Sequence, residues 1–134
     1  MNCEQAKYFG VSERGGAASL QPALRAALER LAVLGRELRP LFAVTVDRSP
    51  VMASPGVFWA RLDHREHRIW INGYVLDRAP GGPEWAEEFL VQHELLHALR
   101  VRVPEAVEPL MEFGFSEEEA ADLFAYSTSG MGSS

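Results

Sequence analysis

The stretch from residue 93 to 97 reads His-Glu-Leu-Leu-His and combines the residue types of a hydrolytic metal centre. On a helix, His93 and His97 stand one turn apart on the same face. Two imidazoles at this spacing suit one tetrahedral zinc ion. Glu94 is placed to accept a proton from a water molecule without ligating the metal. The alternative is a helix whose two histidines are packed or exposed without any metal.

A third ligand must come from elsewhere, because a hydrolytic zinc site needs three protein ligands and an open position for water. No histidine follows His97 in the sequence, so the third ligand is a carboxylate or the site is incomplete. Residues 118–122 (EEAAD) stand out, since Glu118 and Asp122 share a helix face. Glu118 is the predicted ligand, with Glu119 as the alternative, and Asp122 is predicted to accept the second N–H of a ligating histidine. Glu117 and Glu119 are otherwise explained by the favourable position of acidic residues at a helix N-terminus.

Tyr126 and two further histidines are weaker candidates. Tyr126 lies eight residues after Glu118, so it can share the inner face of that helix and act as an oxyanion donor. A buried core tyrosine is the alternative. His64 and His67 flank a short polar connection, and an exposed hairpin turn is the simplest place for them.

Helices are predicted on either side of a run of strands. The first has Ser19 as N-cap and a stripe of leucines, and ends at Pro40. The active-site helix covers about 84–102, and the final helix covers about 116–126 with a capping box at its start. Between them, Pro104 and Pro109 are expected to interrupt the chain, and Gly114 to close a short helical piece.

Three runs rich in β-formers cover residues 41–47, 57–63 and 68–72. The last two are predicted to form a hairpin. The sequence therefore predicts one α+β domain over residues 1–134. Residues 1–18 are expected to be irregular, and residues 127–134 to form a flexible tail.

Composition limits the classes of partner. The chain has 13 basic and 19 acidic residues, a net charge of −6, which argues against nucleic acid or an acidic membrane as partner. No apolar run is long enough to span a bilayer, and the N-terminus does not read as a secretory signal. With Cys3 as its one cysteine, the chain has no internal disulfide, and a cytoplasmic location is expected. Cys3 is either a small residue near a terminus or a thiolate that fills the open zinc position.

HELLH followed by ExxAD resembles the gluzincin clan of zinc metallopeptidases. Over residues 68–127, the order IWIN, loop, FLVQHELLHAL and EEEAADLFA is similar to ImmA/IrrE-type metallopeptidases and to minigluzincins. The resemblance implies a minimal zincin-like domain with an N-terminal helix, a small sheet, an active-site helix and a glutamate helix. It implies one zinc ion held by His93, His97 and Glu118, and hydrolysis of peptide bonds with Glu94 as general base. The substrate would be an extended peptide paired with an exposed strand edge.

Two alternatives to a constitutively active peptidase stay open. The domain could be a non-catalytic or regulatory binding module that keeps the zincin fold. The resemblance to minigluzincins also allows a latent enzyme, in which a terminal segment blocks the cleft. The segments concerned would be the tail from Ser127 or the N-terminal segment that contains Cys3.

Overall fold

Five helices and a three-stranded mixed sheet make up residues 21–129, the part of the chain that the computed structural model describes. The helices are α1 (Pro22–Leu38), α2 (Gly73–Arg78), α3 (Pro83–Arg102), α4 (Pro104–Glu112) and α5 (Glu117–Thr128), and the strands are β1 (Ala43–Asp47), β2 (Ala60–Asp63) and β3 (Arg68–Asn72). The predicted α+β class is confirmed. Cys3, the rest of the predicted irregular segment 1–18, and residues 130–134 lie outside the described residues.

Helix α1 follows the predicted leucine stripe. Its buried face includes Leu24, Leu28 and Leu31 at the spacing of an amphipathic helix. The prediction of Ser19 as N-cap is wrong, because Gln21 occupies the N-cap position and Pro22 begins the helix. Proline suits this first position, since its φ angle is already helical and its missing N–H has no partner there in any case. The helix ends before Pro40, as predicted.

The sheet has the order β1-β3-β2, with β1 parallel and β2 antiparallel to the central strand. Ile69 and Ile71 of β3 are fully buried against the helices. The hairpin between β2 and β3 is the predicted one, and its turn holds His64 and His67 at the surface. Because β3 lies in the centre, β1 and β2 are the two edges of the sheet within residues 21–129.

The outer edge of β2 carries backbone groups that β3 does not use. The N–H of Asn72 donates to the carbonyl of Trp59 at 2.8 Å, and Ala60 lies opposite Ile71. In an antiparallel ladder, hydrogen-bonded and non-hydrogen-bonded pairs alternate. The backbone N–H and C=O groups of Ala60 and Leu62 therefore point away from β3, towards α3.

Helices α3 and α5 build the core beneath the sheet. Phe89, Leu95 and Leu96 of α3 have almost no exposed surface, and the same is true of Ala120 and Ala121 of α5. The small side chains on α5 let the two helix axes approach closely, as the sequence predicted. None of the helices in residues 21–129 is both long and apolar enough to cross a membrane.

Helix α2 and the course of α4 depart from the predictions. Residues 73–78 form a short helix that no periodic pattern indicates. The side chain of Asn72 caps it by accepting a hydrogen bond from the N–H of Tyr74 at 2.9 Å.

Pro104 does separate α3 from α4. Pro109, however, lies inside α4 rather than interrupting it. Burial of one face of α4 compensates for the backbone hydrogen bond that proline cannot make. Gly114, with φ of 99°, closes the helix as predicted.

The ends of several elements also differ. β1 begins at Ala43 and β2 at Ala60, two and three residues later than predicted, because the preceding residues form 3-10 turns and a loop. The final helix includes Ser127 and Thr128, whereas the sequence predicts a flexible tail from residue 127. Their hydroxyl groups both donate to the carbonyl of Phe124, at 2.9 and 2.7 Å, which keeps the last turn helical.

Candidate metal centre

The HExxH residues and the glutamate helix meet where α3 and α5 pack together. His93 and His97 project from one face of α3 towards the first turn of α5. That turn starts with a complete capping box. The N–H of Glu119 donates to Ser116 Oγ at 3.1 Å, and the N–H of Ser116 donates to Glu119 Oε1 at 3.0 Å. The Glu119 carboxylate is thereby used in capping the helix, and Glu118 faces the two histidines.

The three predicted ligands converge on one point. His93 Nε2 lies 3.3 Å from His97 Nε2, and the two nitrogens lie 3.1 and 3.0 Å from the two carboxylate oxygens of Glu118. Ligand atoms about 2.0–2.1 Å from a tetrahedral zinc ion are about 3.3 Å apart. The two nitrogens and the Glu118 carboxylate are therefore about as far apart as the ligands of a single zinc ion. Together they form a group able to hold a metal ion.

A carboxylate lies next to the outer nitrogen, Nδ1, of each histidine ring. These contacts determine whether the inner nitrogen, Nε2, carries a proton or a lone pair. His93 Nδ1 lies 2.8 Å from Asp122 Oδ1, and His97 Nδ1 lies 2.6 Å from Glu117 Oε2. A neutral imidazole that donates from Nδ1 keeps a lone pair on Nε2. Two such lone pairs then face each other and the Glu118 carboxylate. Three electron-pair donors aimed at one point favour a cation between them.

Glu94 is buried beside this point, with 8 % of its surface exposed. One of its oxygens lies 3.8 Å from His93 Nε2. Burial raises the pKa of the Glu94 carboxyl, while the nearby histidines and the backbone N–H of Leu62 act in the opposite direction, and the net shift is upward. A carboxylate with a raised pKa is better matched to accepting a proton near neutral pH.

His93 is held in a charged environment. Its burial disfavours the protonated ring, but the hydrogen bond to Asp122 and the nearby carboxylates of Glu94 and Glu118 outweigh that cost, so the pKa of His93 is raised. These carboxylates favour any positive charge at this place, whether a proton or a metal ion.

A cleft of about 270 Å³ leads to the site from the β2 side. Trp59 and Ala60 form one wall, and Phe89, His93 and Glu118 lie across from them. The side chain of Glu118 is 72 % exposed, whereas those of the histidines are 14 and 17 % exposed. The ligand cluster is therefore open to solvent on one side and closed by the core on the other.

The predicted residues fall into two groups. His93, Glu94, His97, Glu118 and Asp122 come together as their spacing predicts. Tyr126 does not join them: it is partly buried against the hydrophobic core and does not line the cleft. This position favours the alternative of a core tyrosine, and the role of Tyr126 as an oxyanion donor stays a prediction.

Sequence reasoning missed Glu117 and the β2 edge. Glu117 was explained by its place in the first turn of α5, but it also contacts His97 and lies 3.7 Å from Arg100 Nε. Its position next to Glu118 is the signal that could have found it, since neighbouring residues on a first turn face adjacent parts of the same partner helix. Nothing in the sequence distinguishes β2 from β1 as the edge beside the site.

Comparison of the chain with protein-family models, with curated proteins and with solved structures finds no match.

Proposed function

We propose that this protein is a zinc-dependent endopeptidase. The observation that carries the proposal is the convergence of His93 Nε2, His97 Nε2 and Glu118 within 3.3 Å of one another, with a carboxylate on the outer nitrogen of each ring. Three protein donors, two nitrogens and one carboxylate, leave the fourth position of a tetrahedral zinc ion for a water molecule or a substrate. The resemblance of HELLH and EEAAD to the gluzincin pattern supports the same proposal.

His93, His97 and Glu118 would hold the zinc ion. When bound there, zinc supplies the positive charge that polarises a peptide carbonyl and makes a water molecule more acidic. Glu94 accepts a proton as the oxygen of that water bonds to the carbonyl carbon. It then delivers the proton to the amine nitrogen as the C–N bond breaks. The hydroxyl of the water ends on the new carboxyl group, and the proton on the new amine.

The substrate would lie along β2. The outward N–H and C=O groups of Ala60 and the outward C=O of Leu62 can pair with an extended peptide. The N–H of Leu62 donates to the Glu94 carboxylate, so a peptide on this edge passes beside the proton acceptor. A peptide bond can then be presented to the site in an extended conformation.

The test has two stages, and zinc content comes first. Elemental mass spectrometry of the purified chain after zinc loading and desalting should find one zinc per chain, and His97→Ala should lose it. Absence of zinc in the native chain would contradict the proposal.

Cleavage of unstructured protein and peptide substrates is the second stage. Glu94→Gln should keep its zinc and lose activity by about 10²–10⁴-fold, because a positioned general base contributes about that much. Equal cleavage by the native and Glu94→Gln proteins would overturn the assigned role. Stoichiometric zinc without any cleavage would instead favour the non-catalytic binding module.

A further inference from the structure

A second cavity, of about 320 Å³, lies at the N-terminal end of β2. Its walls come from the segment 52–57, from Trp59 and Asn72, and from α2. The side chain of Asn72 fixes these parts relative to one another, because it donates to the carbonyls of Met52 and Phe58 at 2.9 and 3.1 Å while it caps α2. The cavity is thus built by a buried polar side chain rather than by a loose loop.

Trp59 connects this cavity to the metal centre. Trp59 lines both the second cavity and the cleft that contains His93 and Glu118, and 42 % of its surface is exposed. A ligand that occupies the cleft and continues past Trp59 therefore enters the second cavity.

The distance along β2 between the reaction point and Trp59 determines which residue of a bound peptide would reach the second cavity. Leu62 lies beside Glu94, and Trp59 precedes Leu62 by three residues. A strand rises about 3.3 Å per residue, so Trp59 is about 10 Å from the reaction point. A peptide paired with β2 would place the residue about three positions from the scissile bond next to this cavity.

The charge of the cavity differs from that of the cleft. Arg78 is the one charged residue among the described residues that line it. The Arg78 guanidinium lies 5.5 Å from the centre of the Tyr74 ring and donates to the carbonyl of Tyr74 at 3.0 Å, which uses one of its five N–H groups. Asp77, the neighbouring carboxylate, forms its ion pair with Arg48 at 3.1 Å and interacts with Arg78 only through a longer-range charge interaction.

We propose that this cavity is a specificity site for an acidic side chain of the peptide substrate, an aspartate or glutamate about three residues from the scissile bond. Arg78 binds the carboxylate through charge-assisted hydrogen bonds, and Trp59 and Tyr74 contact the methylene groups. This specificity site rests on the proposed peptidase function, which supplies the peptide substrate. It adds to that function the class of residue that the enzyme selects. A lysine or arginine at the same position is disfavoured by the Arg78 charge.

Two measurements on the full-length, zinc-loaded chain test the proposal. In the first, a mixed peptide library is digested and the cleavage sites are mapped by mass spectrometry. The native protein should show an acidic preference at the third residue on one side of the cut. Arg78→Gln should abolish the preference, and Arg78→Glu should convert it into one for lysine or arginine. Arg36→Gln, the same charge change at an exposed site on α1, should leave it intact.

In the second measurement, peptides that differ only by Glu or Gln at that position are bound to Glu94→Gln, with fluorescence anisotropy as the readout. If the library yields no cleavage, the position is unknown, and the two peptides are replaced by a series of peptide pairs. Each pair carries Glu or Gln at a different position of the peptide. The Glu peptide should bind about tenfold tighter, roughly the contribution of one charge-assisted hydrogen bond. The added substitution Arg78→Gln should remove the difference.

The outcomes separate the two proposals. Cleavage without an acidic preference, or with a preference that survives Arg78→Gln, overturns the specificity site and leaves the peptidase. Selective binding that depends on Arg78, without cleavage by the native protein, supports the site and overturns the peptidase. Equal binding of the Glu and Gln peptides without cleavage contradicts both.

Discussion

At the scale of single residues, the proposed metal centre depends on the groups that contact the outer nitrogens of its two histidines. Asp122 and Glu117 hold the outer nitrogens of the two rings at 2.8 and 2.6 Å, so both imidazoles present the same tautomer and a set orientation to the site. Without them each ring could rotate or protonate on its inner nitrogen, and both changes compete with metal binding.

Removing either carboxylate should weaken zinc binding. Glu117→Ala and Asp122→Ala are each expected to lower zinc affinity by about 10–100-fold, measured by competition with a chromophoric chelator. Glu117→Gln should lose less, because its amide oxygen can still accept from His97. Glu112→Ala removes an exposed carboxylate from α4 and is the control. An unchanged affinity in Glu117→Ala would show that the contact with His97 does not orient the ring.

At the scale of elements, the position of α5 determines whether Glu118 reaches the histidines. Two features hold this helix: the capping box at Ser116 and the packing of its buried face. On that face Phe124 lies against Gly35 of α1, and a Cβ built at Gly35 would lie 3.1 Å from the tip of the Phe124 ring. The glycine in the middle of α1 is therefore explained by the close approach of α1 and α5.

Substitution of Gly35 should reveal this contact. Gly35→Ala gains helix propensity, up to about 1 kcal/mol, but it displaces the ring, so the net change in the free energy of unfolding should be small. Gly35→Leu should destabilise the fold by about 1–3 kcal/mol through overpacking, and it should weaken zinc binding because Glu118 moves with α5. Val33→Leu, at an exposed position of the same helix, is the control. Denaturant unfolding supplies the numbers, and a Gly35→Leu protein as stable as the native one would refute the explanation.

At the scale of the whole molecule, the proposed zinc ion links α3 to α5. Glu118 follows His97 by 21 residues along the chain, so the three ligands come together only in the folded state. A ligand that binds only the native state adds stability in proportion to the logarithm of its free concentration over Kd. Metal binding and folding are therefore expected to be coupled.

Chelation should lower the melting temperature. Free zinc at a thousand times its Kd adds about 4 kcal/mol to the free energy of unfolding. For a chain of this length, that corresponds to a rise in melting temperature on the order of 10 °C. The measurement is a thermal melt with and without EDTA. His97→Ala should melt at the same temperature in both conditions. A native protein whose melting temperature stays constant after its zinc is shown to be gone would contradict the coupling.

Local signals in the sequence were sufficient for much of the fold. The leucine stripe of α1, the capping box at Ser116 and the hairpin between β2 and β3 depend on residues close together in the chain, and each was predicted correctly. Predictions failed where distant contacts override local preference. Burial of Val107 and Leu110 keeps α4 helical through Pro109, and Asn72 starts α2 although no hydrophobic period marks it.

The sequence by itself determined which side chains could form the metal centre, because HExxH and ExxAD place their residues on single helix faces by helical geometry alone. Only the tertiary structure decided the rest of the site. The pairing of Glu117 with His97, the position of β2 beside Glu94 and the placement of Tyr126 away from the cleft all depend on how separate elements pack and in which order the strands lie. Helix periodicity does not encode those relations, since they arise from contacts between residues far apart in the chain.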